Sequence, residues 1–164
     1  MHPFERLLAF DVYDSPVIGI ALRPSAAKAS LFELLTWDEA RTERIFSLAP
    51  ISYEAADREI RSISGIVAPN WPEWWLQRAP SEQERDVVAG AVSRLRGAAQ
   101  HPDAVVKSPA LLRSISDSVT LDSEEKRREF EVLKRRHDDH AIDDPERFSA
   151  WAAFVRDVQA NDHS

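Results

Sequence analysis

The spacing of hydrophobic positions changes near residue 50. Before it, apolar side chains alternate or run in short blocks; after it, they recur at three- and four-residue intervals. Leu8, Phe10 and Val12 alternate with Ala9 and Asp11, the period of a strand with one buried face. Asp14-Ser15-Pro16 is turn chemistry, an acceptor side chain followed by a ring that restricts φ. Val17 to Leu22 is a second β-rich run, ended by Arg23-Pro24-Ser25. Ser30 to Thr36 is a third, bounded by a turn-like Trp37-Asp38-Glu39, although so short an apolar run also fits a helical turn. Arg44 to Ala49 is a fourth, stopped by Pro50. The short connections favour an antiparallel meander, because parallel neighbours need a long crossover.

Beyond Ser52 the pattern is helical. Tyr53, Ala56, Ile60 and Ile63 form one stripe, with Ser52 placed to cap it and Gly65 to end it. Ser81-Glu82-Gln83-Glu84 has the form of a capping box ahead of the stripe Val87, Val88, Ala91, Val92 and Leu95. Ser108-Pro109 reads as an N-cap with proline in the first turn, followed by Leu111, Leu112, Ile115 and Val119. Asp122 or Ser123 opens a strongly charged helix anchored by Phe130, Val132 and Leu133. Asp144-Pro145 opens the last, with Phe148, Trp151, Ala152, Val155 and Val158 on one face. The predicted fold is α+β: an N-terminal antiparallel β-meander of three to four strands packed against four to five C-terminal helices. Residues 1–164 are expected to form a single domain, mainly β over 1–50 and mainly α over 52–160, joined by a Trp- and Pro-containing connection over 67–80.

Composition narrows the chemistry. The 164 residues contain no Cys, which removes disulfides, thiolate zinc sites and cysteine nucleophiles. No apolar window has the length of a membrane span, and the N-terminal stretch soon meets Asp11 and Asp14, unlike a secretory leader. These features lead us to expect a soluble cytoplasmic protein. The net charge of -7 disfavours nucleic acid and suits either solubility alone or a basic partner.

Several groupings bear on function. Trp71, Trp74 and Trp75, three of the five tryptophans, lie in Pro69-Asn70-Trp71-Pro72-Glu73-Trp74-Trp75. Such rings serve partner contacts well, and equally well fill the space between a sheet and its helices. His137-Asp138-Asp139-His140 puts two imidazoles on one helical face, but Lys134, Arg135 and Arg136 precede it and would repel a cation. We therefore read it as a helix end, with no metal and no cofactor. Lys126-Arg127-Arg128 and Lys134-Arg135-Arg136 are interleaved with Glu124, Glu125, Glu129 and Glu131, the pattern of a solvated helix. There is no Gly-x-Ser-x-Gly elbow and no glycine-rich phosphate loop.

The leading expectation is a non-catalytic protein–protein interaction domain of the immunity or inhibitor kind, binding a basic partner. Its candidate partner-facing residues are Trp71, Glu73, Trp74 and Trp75, with Trp37 and Asp38 as an adjacent turn. The alternatives are a small enzyme using His101, His137 or His140 with nearby carboxylates, and an assembly subunit that homodimerises through the 123–140 helix. The double substitution Trp74→Ala and Trp75→Ala should weaken partner binding while leaving the urea midpoint nearly unchanged. A loss of about 3–5 kcal/mol of stability for each ring removed would mean that the rings are core instead.

Overall fold

The computed structural model describes residues 6–12, 16–38, 40, 42–64, 81–109, 112 and 114–162. Its architecture is α+β. Among the described residues, six strands follow one another in a sheet whose spatial order is the order of the chain. They are β1 (Arg6–Val12), β2 (Pro16–Arg23), β3 (Lys28–Asp38), β4 (Glu43–Ile51), β5 (Ala104–Ser108) and β6 (Asp117–Thr120). The pairs β1/β2, β2/β3, β4/β5 and β5/β6 are antiparallel. Helices α1 (Tyr53–Ser64) and α2 (Glu82–Ala98) are inserted between β4 and β5. Helices α3 (Glu124–His137) and α4 (Pro145–Asp162) follow β6.

The sheet thus exceeds the expected three to four strands, and its last two come from the part of the chain read as helical. The residues described behind Ser108-Pro109 do not adopt the expected helix. The Ser108 hydroxyl does accept a backbone N–H, but from Leu112, at 2.6 Å. Leu112 has φ 65°, in the left-handed region, where a right-handed helix cannot continue. The Ser116 N–H then bonds to the Lys107 carbonyl at 2.9 Å, and Val119 settles opposite Val105. The spacing of Leu112, Ile115 and Val119 satisfies a helix by count. The open ladder edge of β5 offers this short segment hydrogen bonds and a buried place for Val119, and a short isolated helix has little to set against them. The expected turn at Trp37-Asp38 is also displaced, since both residues belong to β3.

The other helix starts form as their sequences predict. Ser52 accepts the Ala55 N–H at 3.1 Å, and Ser123 that of Lys126 at 3.2 Å. At α2 the capping box is complete: the Glu84 N–H bonds to Ser81 Oγ at 3.2 Å, and the Ser81 N–H to Glu84 Oε1 at 2.9 Å.

Two compact units divide the chain, with their boundaries inside β3 and β4. The described parts of Phe4–Glu33 and Ala49–His101 form one of them. Here Ile18, Ile20 and Leu22 of β2 share a face with Leu31 and Ala29 of β3, because those residues are paired in register or lie two apart. That face packs with Ala56 of α1 and with Val88, Ala91, Val92 and Leu95 of α2, the stripe read from the sequence. Arg94 Nε reaches both carboxylate oxygens of the buried Glu59 at 2.8 Å, tying α2 to α1.

The described parts of Leu34–Leu48 and Pro102–Ser164 form the other unit. Leu35, Ile45, Val105 and Val119 line its strands. Against them lie Phe130 and Leu133 of α3 and Phe148, Trp151, Phe154, Val155 and Val158 of α4. Trp151 is its largest fully buried side chain, with ring centroids 5.4 Å from Phe130 and 5.7 Å from Phe154. None of the helices is long and apolar enough to cross a membrane, among the described residues.

Trp151→Ala should lower the stability of this unit by about 3–5 kcal/mol in urea unfolding, whereas Val132→Ala, at an exposed position of α3, should stay within about 0.5 kcal/mol.

Candidate functional site

The candidate site lies in the second unit, where the end of β3 meets the connection from α3 to α4. That connection is built from two tight turns. The His140 N–H bonds to the His137 carbonyl and the Asp144 N–H to the Ala141 carbonyl, each at 3.0 Å. Asp144 then caps α4, its Oδ1 accepting the Glu146 N–H at 2.8 Å and its carbonyl the Phe148 N–H at 3.0 Å. Pro145 in the first helical position lacks only an N–H that the helix would leave unpaired.

The connection is fastened to β3 through one carbonyl. Ile142 O accepts the Trp37 N–H at 3.1 Å and the hydroxyl of the fully buried Thr36 at 2.9 Å. A second fastening is the Arg147 guanidinium, whose Nε donates to Leu35 O at 2.6 Å. One terminal nitrogen of the same group donates to His137 O at 3.0 Å and to His140 O at 2.8 Å. Arg147 therefore joins a strand, the end of one helix and the following turn. Burial pushes its pKa down, and the nearby Asp138 and Asp144 carboxylates oppose that shift.

Beside these fastenings is a cleft of about 410 Å³. Trp37 and Asp38 of β3, Asp143 of the connection, and Pro145, Phe148, Ser149, Ala152 and Arg156 of α4 line it. The α4 residues recur at three- and four-residue spacing and so form one face of the helix. Trp37 is a buried wall residue, 7% exposed, and its indole N–H makes no hydrogen bond among the described residues. Asp38 is half-buried, and its Oδ1 accepts the Ala40 N–H at 3.1 Å. Asp143 is exposed, and its carboxylate has no hydrogen bond or ion pair among the described residues. Arg156 leans on Asp157, Nε to Oδ1 at 3.3 Å.

Of the expected partner-facing residues, the structure brings Trp37 and Asp38 into this cleft, as strand residues rather than as a turn. Trp71, Glu73, Trp74 and Trp75 lie outside the described residues. His137 is the last residue of α3 and is buried; His140 is half-buried, its ring centroid 5.0 Å away and its Nδ1 3.0 Å from Asp139. His101 is exposed. Among the described residues no three His, Asp or Glu side chains form a group that would hold a metal ion. The first basic run of α3 is partly engaged: Lys126 pairs with Asp122 at 2.9 Å, and Arg127 donates to Leu121 O at 3.2 Å. Lys134, Arg135 and Arg136 are exposed in the last turn, where positive charge complements the helix dipole.

The sequence reading missed Arg147, Thr36, Asp143 and Arg156. Arg147 did leave a signal, a charged residue four before Trp151 and eleven before Val158, on the stripe that forms the core. The others have ordinary surface or strand patterns and become neighbours only in the fold. No family model matches the chain, and neither curated proteins nor solved structures show a match.

Arg147→Met should cost about 2 kcal/mol or more in urea unfolding, because three carbonyls lose a charged donor. Arg147→Lys should recover only part of this, since a single ammonium cannot reproduce the planar fork. Hydrogen exchange at the Trp37 amide should speed up in both variants.

Proposed function

We propose that this chain is a non-catalytic binding domain for a basic protein partner, in the manner of immunity and inhibitor proteins. The observation that carries the reading is the local distribution of charge around the cleft. Residues 138–146 include Asp138, Asp139, Asp143, Asp144 and Glu146 and no Lys or Arg. Asp138, Asp139, Asp143 and Glu146 are exposed, and Asp38 stands at the same cleft as Asp143. The whole chain carries a net charge of -7. An acidic face of this kind speeds the encounter with a basic surface and aligns it before contact. The cleft beside it offers the apolar and aromatic contact that slows dissociation. Because Arg147 and Thr36 hold the connection to β3, little ordering entropy is lost when a partner docks.

The test is affinity capture from the source cells, followed by association kinetics with the recovered partner. The partner should be basic. Its on-rate should fall about tenfold or more between roughly 0.05 and 0.3 M salt, with the off-rate nearly constant. Replacing Asp138, Asp139 and Asp143 together by Asn should reproduce the effect of salt. An on-rate indifferent to salt and to these substitutions, or a partner that is acidic, would overturn the reading.

A further inference from the structure

We infer that the cleft between the end of β3 and α4 is a receptor for one arginine side chain of a protein partner. This deepens the proposed function and rests on it.

Four features of the cleft select this occupant. Its volume, about 410 Å³, is at the lower end of ligand pockets and suits one long side chain with its adjoining backbone. Its charge favours a cation, since Asp143 lines it and Arg156, the one cationic lining residue among those described, is already paired with Asp157. Asp143 is exposed and unpaired among the described residues, so a guanidinium gains a carboxylate there without breaking any ion pair they make. Trp37 and Phe148 contribute aromatic walls, with Pro145 and Ala152 as further apolar surface for an alkyl stem.

The same features choose arginine over lysine. A guanidinium is planar, stacks against aromatic rings, meets a carboxylate with two parallel N–H donors, and is less strongly hydrated than an ammonium. The ammonium of lysine would lose more hydration on entering a site that supplies fewer matched acceptors. Arg156 is the unfavourable neighbour. It sets an upper limit on the attraction, and its removal should strengthen binding.

The experiment is a ¹H–¹⁵N titration of the full chain, with the Trp37 indole signal assigned through Trp37→Phe. The probes are N-acetyl-arginine amide, N-acetyl-lysine amide, the uncharged isostere N-acetyl-citrulline amide, and free arginine. The arginine amide should give saturable shifts at the Trp37 indole and at the Asp143 and Phe148 amides. It should bind about threefold more tightly than the lysine amide and about tenfold more tightly than the citrulline amide. Asp143→Asn should weaken it about threefold and Arg156→Gln should tighten it about twofold, both positions being exposed enough for the fold to persist. The assignment falls if the shifts lie elsewhere, if citrulline binds as well as arginine, or if neither substitution changes the affinity. Tighter binding of free arginine than of the blocked amide would make the cleft a small-molecule site and equally overturn it. A basic partner whose affinity ignores Asp143→Asn would remove the arginine receptor and leave the basic-partner reading standing. A well-behaved arginine titration without any basic partner would remove the basic-partner reading, and with it the assignment of the bound arginine to a protein, leaving only a site with affinity for arginine.

Discussion

The Arg147 guanidinium is the interaction on which the arrangement of the candidate site depends. It reaches three backbone carbonyls, those of Leu35, His137 and His140, which belong to a strand, a helix end and a turn. Each of these part-buried carbonyls gains a charged donor, His137 O in addition to the His140 N–H, and an under-satisfied buried acceptor is costly. Burying part of a cation is also costly, as the downward shift of its pKa records. The nearby charges of Asp138 and Asp144 offset that cost. The acidic connection therefore has two consequences: it stabilises the cation beneath it, and it presents exposed carboxylates above.

Thr36 adds a second constraint at the same place. Its hydroxyl and the Trp37 N–H share one carbonyl, that of Ile142. Together with Arg147, this fixes the 137–145 segment to the last residues of β3. Trp37 and Asp38 are thereby held beside Asp143 and the first turns of α4. The cleft is a consequence of that fastening, and its mixture of aromatic walls and carboxylates follows from which residues each element contributes. The short acidic run after the basic last turn of α3 then makes the local charge at the cleft differ from that of the helix preceding it.

The sheet imposes a constraint of another kind. After β4 the chain leaves for two helices and returns to pair β5 directly with β4. Backbone bonds secure the return, from Gln100 N–H to Pro50 O and from Asp103 N–H to Leu48 O, each at 2.9 Å. β5 then presents an open edge, and the next segment takes it as β6. At the opposite edge β1 carries register shifts around Asp11, a device that disfavours further strand addition.

Features that depend on neighbours two to four residues away are legible along the chain. The capping box of Ser81 and Glu84, the caps at Ser52, Ser123 and Asp144, the stripes of α2 and α4, and the four N-terminal strands are all local patterns. Contacts between distant segments set the rest. Leu112, Ile115 and Val119 obey helical spacing, yet the ladder edge of β5 drew Val119 into a strand. Trp37 and Asp38 were legible as a pair of interest, but their place in β3, and the cleft they share with Asp143 and Arg156, required contacts more than a hundred residues apart, such as Thr36 to Ile142. Arg147 stands on an apolar stripe, which marks it as unusual without saying what it binds. Its partners are backbone carbonyls, which every residue possesses, so no pattern of side chains can announce them. Local bonding is written in sequence spacing; the satisfaction of buried backbone groups is settled only when distant segments meet.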